Sequence, residues 1–395
     1  MDYVKRGLMS NKLLLAICGY VDGKHESQVK FSLGFPGMVN QFASEHNLNL
    51  EGRLISLVGC DEMSRKQNIH ATIPMVNTAH VTEYDTIFDR IGTIVPTAGI
   101  FLDNAVYSGA QVFNRPISID ESKARDYMLA GMLGFNVPRT VVLPQACYIR
   151  ARLAGDSVVW DIDLDDAVRQ VGGYPCFLKK ANGGGRAHVY KIHNKAELLE
   201  TYQMTRELLM VLQEGVEFEK YIRTFCLGTR VVHTCYDIDK PDGQKYSWPT
   251  GILTDEERAY LDRVVPALAG ELLTPFCTME ITKNRKDGNW YFIDITNGCN
   301  FDMREGELGS SVFQVVAGSL IEEMAQYTYN PRPMVTHTHL QEYVLRQQLY
   351  RSSTKGQNPD HLWRFAKEHG YAWDGKRLET EAARFRETYA FLHGL

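Results

Sequence analysis

The chain has 395 residues, of which 44% are apolar and 23% charged, and a formal charge of -5 at neutral pH. That length calls for two or three hydrophobic cores of ordinary size, and the composition excludes a disordered or fibrous chain. So small a net charge gives no global field to gather nucleic acid or anionic lipid, which leaves small molecules as the expected partners and no role at nucleic acid or membrane.

Near the N-terminus, the apolar run Leu13 to Cys18 is far shorter than the roughly 20 residues needed to span a bilayer, and no small-residue cleavage site follows it. It predicts a buried strand. A second run, Arg53 to Val58, predicts another, with Gly19 and Gly59 at the two strand ends. Continuous apolar runs of this kind are buried on both faces, as in a parallel sheet. Met38 to Glu45 supplies a crossover helix, and Ile91 to Val95 and Gln111 to Phe113 add short strands. Residues 1–117 are thus expected to form a small open α/β domain.

Ser118 to Leu133 reads as a helix capped by Asp120 or Ser122, with Ala124, Tyr127, Met128 and Leu133 as its apolar stripe. Pro138 makes Val137 to Leu143 extended. A helix over 161–171, a strand over 176–180, a loop at Gly183, Gly184 and Gly185, and a strand over 187–192 come next. Strand, glycine loop and strand make a hairpin. A helix (195–206) and strands over 209–213, 224–227, 230–236, 276–281 and 290–295 complete an antiparallel α+β region, and Ser311 to Gln326 is an amphipathic helix. Residues 331–395 read as a helical, aromatic-studded extension suited to packing on the body or on a second subunit. The eight cysteines stand singly, with no C-x-x-C pair, as expected of reduced core thiols in the cytoplasm.

The chemistry centres on K-K-A-N-G-G-G-R, residues 179–186. Glycine lets backbone N–H groups approach phosphate oxygens without a Cβ in the way, and Lys179 on the strand entering the loop adds a point charge. The sequence is neither a P-loop nor a G-x-G-x-x-G opening a helix. His188, His193 and His233 are not spaced as a zinc motif.

With its surroundings, this segment resembles the ATP-grasp superfamily, in particular ligases such as D-alanine:D-alanine ligase and glutathione synthetase. The resemblance covers about residues 90 to 325. Lys123 opens a helix fifteen residues before Pro138, as in that family, and G-Y-P-C-F-L-K-K-A-N-G-G-G-R matches its P-x-[VF]-x-K-P and glycine loop, with Lys180 in place of the proline. The resemblance implies that Lys123 and Lys179 hold nucleotide phosphates. It also implies that Gln213, Glu214 and Val216 form an adenine-binding hinge with Glu219 on the ribose. In the next motif Arg223, Phe225 and Gly228 match, while Tyr221 takes an acidic place. Arg223 and Arg230 are expected on phosphate or acyl-phosphate oxygens, and Arg304 on a substrate carboxylate.

Glu280 in T-M-E-I-T and Asp294 in F-I-D-I-T-N flank the turn K-N-R-K-D-G, so a hairpin brings the two acids together. Two carboxylates in apolar strands repel each other and suffer desolvation unless a cation lies between them. They are expected to bind Mg²⁺, two ions by the family's pattern, with Thr296 in the usual asparagine position and Asn297 one later. The implied fold is an N-terminal open parallel-sheet α/β domain (1–117), followed by an ATP-grasp α+β pair (118–207 and 208–330) and the helical extension. The implied activity is ATP-dependent amide or peptide bond formation between a small carboxylate and an amine, through an acyl phosphate. A carboxylase or glycinamide-type ligase and a nucleotide-binding regulator without turnover are the alternatives.

Overall fold

The computed structural model describes residues 12–19, 26–55, 84–91, 96–107, 110–114, 122–149, 162–182, 188–237, 239–241, 244–272, 274–299 and 310–329, with positions 364 and 367. The Gly183 to Gly185 loop, Arg304 and nearly all of the C-terminal extension lie outside these residues.

The first sheet is parallel, with strands β1 (Leu13–Cys18), β2 (Leu50–Ile55), β3 (Thr86–Asp89) and β4 (Gln111–Phe113) in the order β2-β1-β3-β4. β1 is buried on both sides. Leu15 and Ile17 pack with Phe31, Phe35 and Val39 of α1 (Glu26–Glu45), while Ala16 and Cys18 pack with Ala98, Phe101 and Leu102 of α2 (Pro96–Tyr107). The second strand begins at Leu50 rather than Arg53, and Gly52 within it is a close-approach position. A Cβ there would lie 2.6 Å from the Pro36 carbonyl oxygen of α1. The third strand lies at Thr86–Asp89, where Leu15 of β1 stands opposite Thr86, ahead of the expected 91–95. Ile91 is buried just beyond it, and 92–95 lie outside the described residues.

Helix α3 (Lys123–Met132) leads into the second sheet. Its inward residues are Tyr127 and Ala130, whereas Met128 is 56% exposed and leaves the expected stripe. Strands β5 (Thr140–Leu143), β6 (Cys176–Lys180), β7 (Val189–Ile192) and β8 (Met210–Glu214) pair antiparallel in the order β5-β8-β6-β7. Helices α4 (Ala146–Ile149), α5 (Leu164–Gln170) and α6 (Lys195–Thr205) accompany them. Cys176, Leu178, Met210 and Leu212 turn to a core with Leu164, Val168, Leu198 and Tyr202. Strand alternation then places Phe177, Lys179, Val211 and Gln213 on the other face. β8 completes this sheet.

Strands β9 (Phe218–Leu227), β10 (Arg230–Tyr236), β11 (Tyr246–Ser247), β12 (Phe276–Asn284) and β13 (Trp290–Asn297) form the third sheet, in the order β11-β10-β9-β12-β13. One face, with Ile222, Cys226, Cys277 and Met279, packs on Tyr127 and on Leu261, Val265 and Leu268 of α7 (Asp255–Glu271). α7 is not among the expected elements because Pro266 lies inside it, yet Thr254 and Glu257 form a capping box that marks its start. The opposite face is apolar at one end. There Phe225, Leu227 and Phe276 share a core with Phe88 and Phe113 of the first sheet and with Val316, Leu320 and Met324 of α8 (Ser310–Tyr329). Asn114 joins the two sheets like an added strand residue: its amide donates to the Phe276 carbonyl at 2.5 Å and its Oδ1 accepts from the Phe276 N–H at 3.2 Å. The other end of that face carries charge.

Candidate active site

Three ionised side chains stand in a row across the third sheet. The register sets Arg223 of β9 opposite Glu280 of β12, and Glu280 opposite Asp294 of β13. Side chains directly opposite on one face have Cβ atoms about 5 Å apart, so the two acids are neighbours. The ladder slips just beyond them, from Glu280 opposite Asp294 to Ile281 opposite Phe292, leaving Ile293 as an extra residue. Its carbonyl accepts the Tyr127 hydroxyl at 2.6 Å, so α3 anchors the bulge beside the acids.

The acids have different partners. Glu280 takes the Arg223 guanidinium on Oε1 and the Tyr221 hydroxyl on Oε2. Arg223 also donates to the Tyr246 hydroxyl and lies 4.3 Å from the Tyr236 ring centre. Burial by itself raises the Glu280 carboxyl, but Arg223, the Tyr221 hydrogen bond and Lys123 outweigh it and hold the group down at about 2. Asp294 accepts the Lys123 ammonium on Oδ1, and its side chain is the more open of the two, 27% exposed against 16%. Lys123 is the first residue of α3, and its backbone N–H donates to the Ala181 carbonyl at 2.8 Å. It thus sits where the second sheet meets the third.

Lys179 approaches from the second sheet. Its ammonium donates to Gln213 Oε1 at 2.6 Å, and the Gln213 amide donates to Thr140 Oγ1 at 2.9 Å. Burial pulls the Lys179 ammonium down to about 8, with Asp294 and Glu280 resisting the shift and Lys123 adding to it. These electrostatic contacts bring Lys123, Lys179, Glu280 and Asp294 to one place. At the end of β8, Glu214 is tied to Arg139 by three hydrogen bonds, from the backbone N–H (3.2 Å), Nε (3.0 Å) and Nη2 (2.9 Å). Gly215 packs so tightly that a Cβ would lie 2.5 Å from the Pro175 carbonyl oxygen. Val216 is half-buried and Glu219 exposed in the strand that follows.

Arg230 is not part of the cluster. It lies at the far end of the β9–β10 hairpin, where it grips Glu322 through two hydrogen bonds of 2.6 and 3.1 Å and reaches Glu323 at 3.2 Å. The strand runs on from the acid row before reaching it, so the structure does not bring Arg230 together with the lysines and acids. Arg223 is near the acids but faces Glu280 and two tyrosines, with only 6% of its side chain exposed. Thr296, paired with Thr278, follows Asp294 on the same face by strand alternation, and Asn297 ends β13. His233 is buried on the other side of the sheet, between Thr224 and Asp262 at 2.8 Å each. Tyr127, Thr140, Tyr236 and Tyr246 also support the site without belonging to any motif. Tyr127 alone left a signal, as a polar-tipped aromatic in the buried stripe of α3.

The donor set fits a hard divalent cation. Among the described residues no group of three or more His, Cys, Asp or Glu could hold a metal. Two neighbouring carboxylates are nevertheless what Mg²⁺ uses when waters and substrate phosphates complete its shell. In the structure Lys123 and Arg223 supply the positive charge that the two acids need.

No protein-family model matches the chain, and no curated protein matches it in sequence. Solved structures do match its fold. The VanG D-Ala:D-Ser ligase from Enterococcus faecalis superposes with a TM-score of 0.52 at 13% identity, over 81% of this chain and 100% of that one. A RimK domain protein ATP-grasp from Sphaerobacter thermophilus gives 0.52 at 13% identity, over 79% and 98%. The ATP-grasp ligase PsnB, in complex with a minimal precursor, Mg and ADP, gives 0.50 at 13% identity, over 80% and 98%. With its parallel sheet and its two antiparallel sheets, the chain has the ATP-grasp fold.

Proposed function

We propose that the chain is an ATP-dependent ligase that activates a small carboxylate as an acyl phosphate and passes the acyl group to an amine. The observation that carries this reading is the meeting of Lys179 and Lys123 with Glu280 and Asp294 between two sheets. A reaction on a triphosphate needs positive charge on one side and metal-holding oxygens on the other, and both are present. In this reading residues 1–117 carry substrate contacts, 118–207 and 208–330 form the two halves of the nucleotide clamp, and the protein works in the cytoplasm.

The substrate carboxylate oxygen attacks the γ-phosphorus as the bond to the bridging oxygen of ADP breaks. The amine then attacks the acyl carbon, phosphate leaves with the bonding pair, and the amine loses its proton. Lys179 and Lys123 neutralise charge on the phosphates and fix their position, which is the larger part of catalysis in phosphoryl transfer. Lys179 is mostly protonated below pH about 8, so it meets a polyanion as a cation at neutral pH. The Gln213 to Thr140 link fixes Lys179 on the sheet, and Arg139 fixes Glu214 so that the backbone from Glu214 to Val216 can present its groups to a base. Glu280 and Asp294 would hold Mg²⁺, which would supply charge neutralisation at the phosphates, and Thr296 on the same face would add an oxygen donor, with Asn297 the further ligand implied by the sequence.

A nucleotide-binding regulator without turnover is the second reading. It is favoured by the closed pairing of Arg223 with Glu280, which keeps that arginine off a substrate. ADP release over a broad panel of amino acids, dicarboxylates and short peptides, with hydroxylamine to trap an acyl phosphate, separates the two. Hydroxamate formation supports the ligase, whereas ATP binding with no ADP release over the whole panel supports the regulator.

A further inference from the structure

We propose that Tyr221 is a positioning residue that fixes Glu280 as a metal ligand, acting with Arg223 as the second half of a clamp on that carboxylate. The inference rests on the metal role of Glu280 and Asp294 given above. On β9, Tyr221 stands opposite Thr282, one step along the face from the Arg223 and Glu280 pair. That diagonal distance is about 7–8 Å between strands, within reach of an aromatic side chain and beyond a short one. Its hydroxyl reaches Glu280 Oε2 while Arg223 takes Oε1, so each oxygen of the carboxylate has its own donor.

The clamp is held from behind by rings. Tyr221 lies edge-on to Phe218 at 5.2 Å and tilted on Tyr236 at 5.8 Å, and Tyr236 lies edge-on to Tyr246 at 5.0 Å. Arg223 sits over the Tyr236 and Tyr246 rings, 4.3 and 5.6 Å from their centres. Neither donor can swing away without breaking ring contacts. A half-buried carboxylate with both oxygens engaged keeps one orientation, and outer partners of this type commonly change metal affinity by about 10- to 100-fold.

The choice of residue has an electrostatic consequence. An acid at position 221 would set a third negative charge beside Glu280 and Asp294, whereas the tyrosine donates a hydrogen bond and adds no charge. The two acids are then matched by Arg223 and Lys123, and metal held without nucleotide depends on the orientation of Glu280 rather than on extra charge.

The test uses the full chain and Mn²⁺ alone, with free Mn²⁺ read by electron paramagnetic resonance. Tyr221→Phe keeps every ring contact and removes only the hydroxyl. The expected result is a Mn²⁺ Kd raised by about 10-fold with the thermal midpoint unmoved, and a similar or larger rise for Arg223→Lys. If Tyr221→Phe binds Mn²⁺ like the parent chain while Glu280→Gln loses it, the positioning role is overturned and the metal site stands. If Glu280→Gln also binds normally, the metal role of Glu280 fails and the positioning role falls with it.

Discussion

The second and third sheets build the two walls of the site by opposite means. In the second sheet one lysine, Lys179, carries the charge, and it is left under-compensated, with a neutral glutamine as its hydrogen-bond partner. In the third sheet the charges are matched, Arg223 to Glu280 and Lys123 to Asp294. The second sheet also has a core of its own, while the third shares one with the parallel sheet and α8. The lysine wall is therefore the more independent unit. The acid wall is fixed to the body, and a metal entering it must displace or share existing cations.

The largest effect should come from breaking the lysine wall. Lys179→Met is expected to reduce ATP-dependent turnover by about 100- to 1,000-fold, measured as ADP release. The same change should stabilise the nucleotide-free protein, by roughly 1–2 kcal/mol, since it removes a desolvated charge whose hydrogen-bond partner is a neutral glutamine. The sign follows from linkage: the folded-state value near 8 lies below the ordinary 10.5, so between those values the unfolded chain binds more protons. The parent chain gains stability as pH rises through that window, and the gap to Lys179→Met, read by urea titration, should close by pH 10.5. An unchanged gap from pH 7 to pH 10.5 would show that Lys179 is not the strained charge. ATP affinity of the parent chain should likewise fall as pH rises past about 8.

A smaller and opposite effect sharpens the contrast. Lys123→Met removes the cation that holds Asp294, and it is expected to tighten Mn²⁺ binding without nucleotide by about 3- to 10-fold while weakening ATP. Loss of affinity for both would mean that Lys123 positions Asp294 instead of competing for it. The smallest effect should be at the hinge. Arg139 is 57% exposed, so Arg139→Met should cost about 0.5 kcal/mol of stability or less. Its signature is a modest rise in the KM for ATP with kcat unmoved. Gly172 makes room for Arg139, since a Cβ there would lie 2.2 Å from its Nη2.

Much of the local structure was legible in the sequence. The buried run of β1, the antiparallel pairing of β6 with β7, and the β12–β13 hairpin carrying Glu280 and Asp294 all follow from periodicity and turn residues. The Lys123 to Pro138 spacing likewise marked the entry to the second sheet. Arg230 could not be placed in this way. A strand arginine looks the same in sequence whether it faces phosphate or Glu322, and only the packing of α8 decides. The same limit hid α7, where an internal proline outweighed a capping box.

The clamp on Glu280 lies further beyond sequence reasoning. Tyr221, Arg223, Tyr236 and Tyr246 come from three strands, and Tyr127 reaches the Ile293 carbonyl only because the ladder slips by one residue. The sequence by itself determined which residues are charged, which strands are buried and where the acids pair, since these depend on side chains close along the chain. Tertiary structure decided which charge meets which partner, because that depends on register between strands distant in sequence and on where water is excluded. Lys179 shows the division: its strand is a local property, but its depressed ammonium is set by burial and by Lys123, against the pull of Asp294 and Glu280, all from elsewhere in the chain.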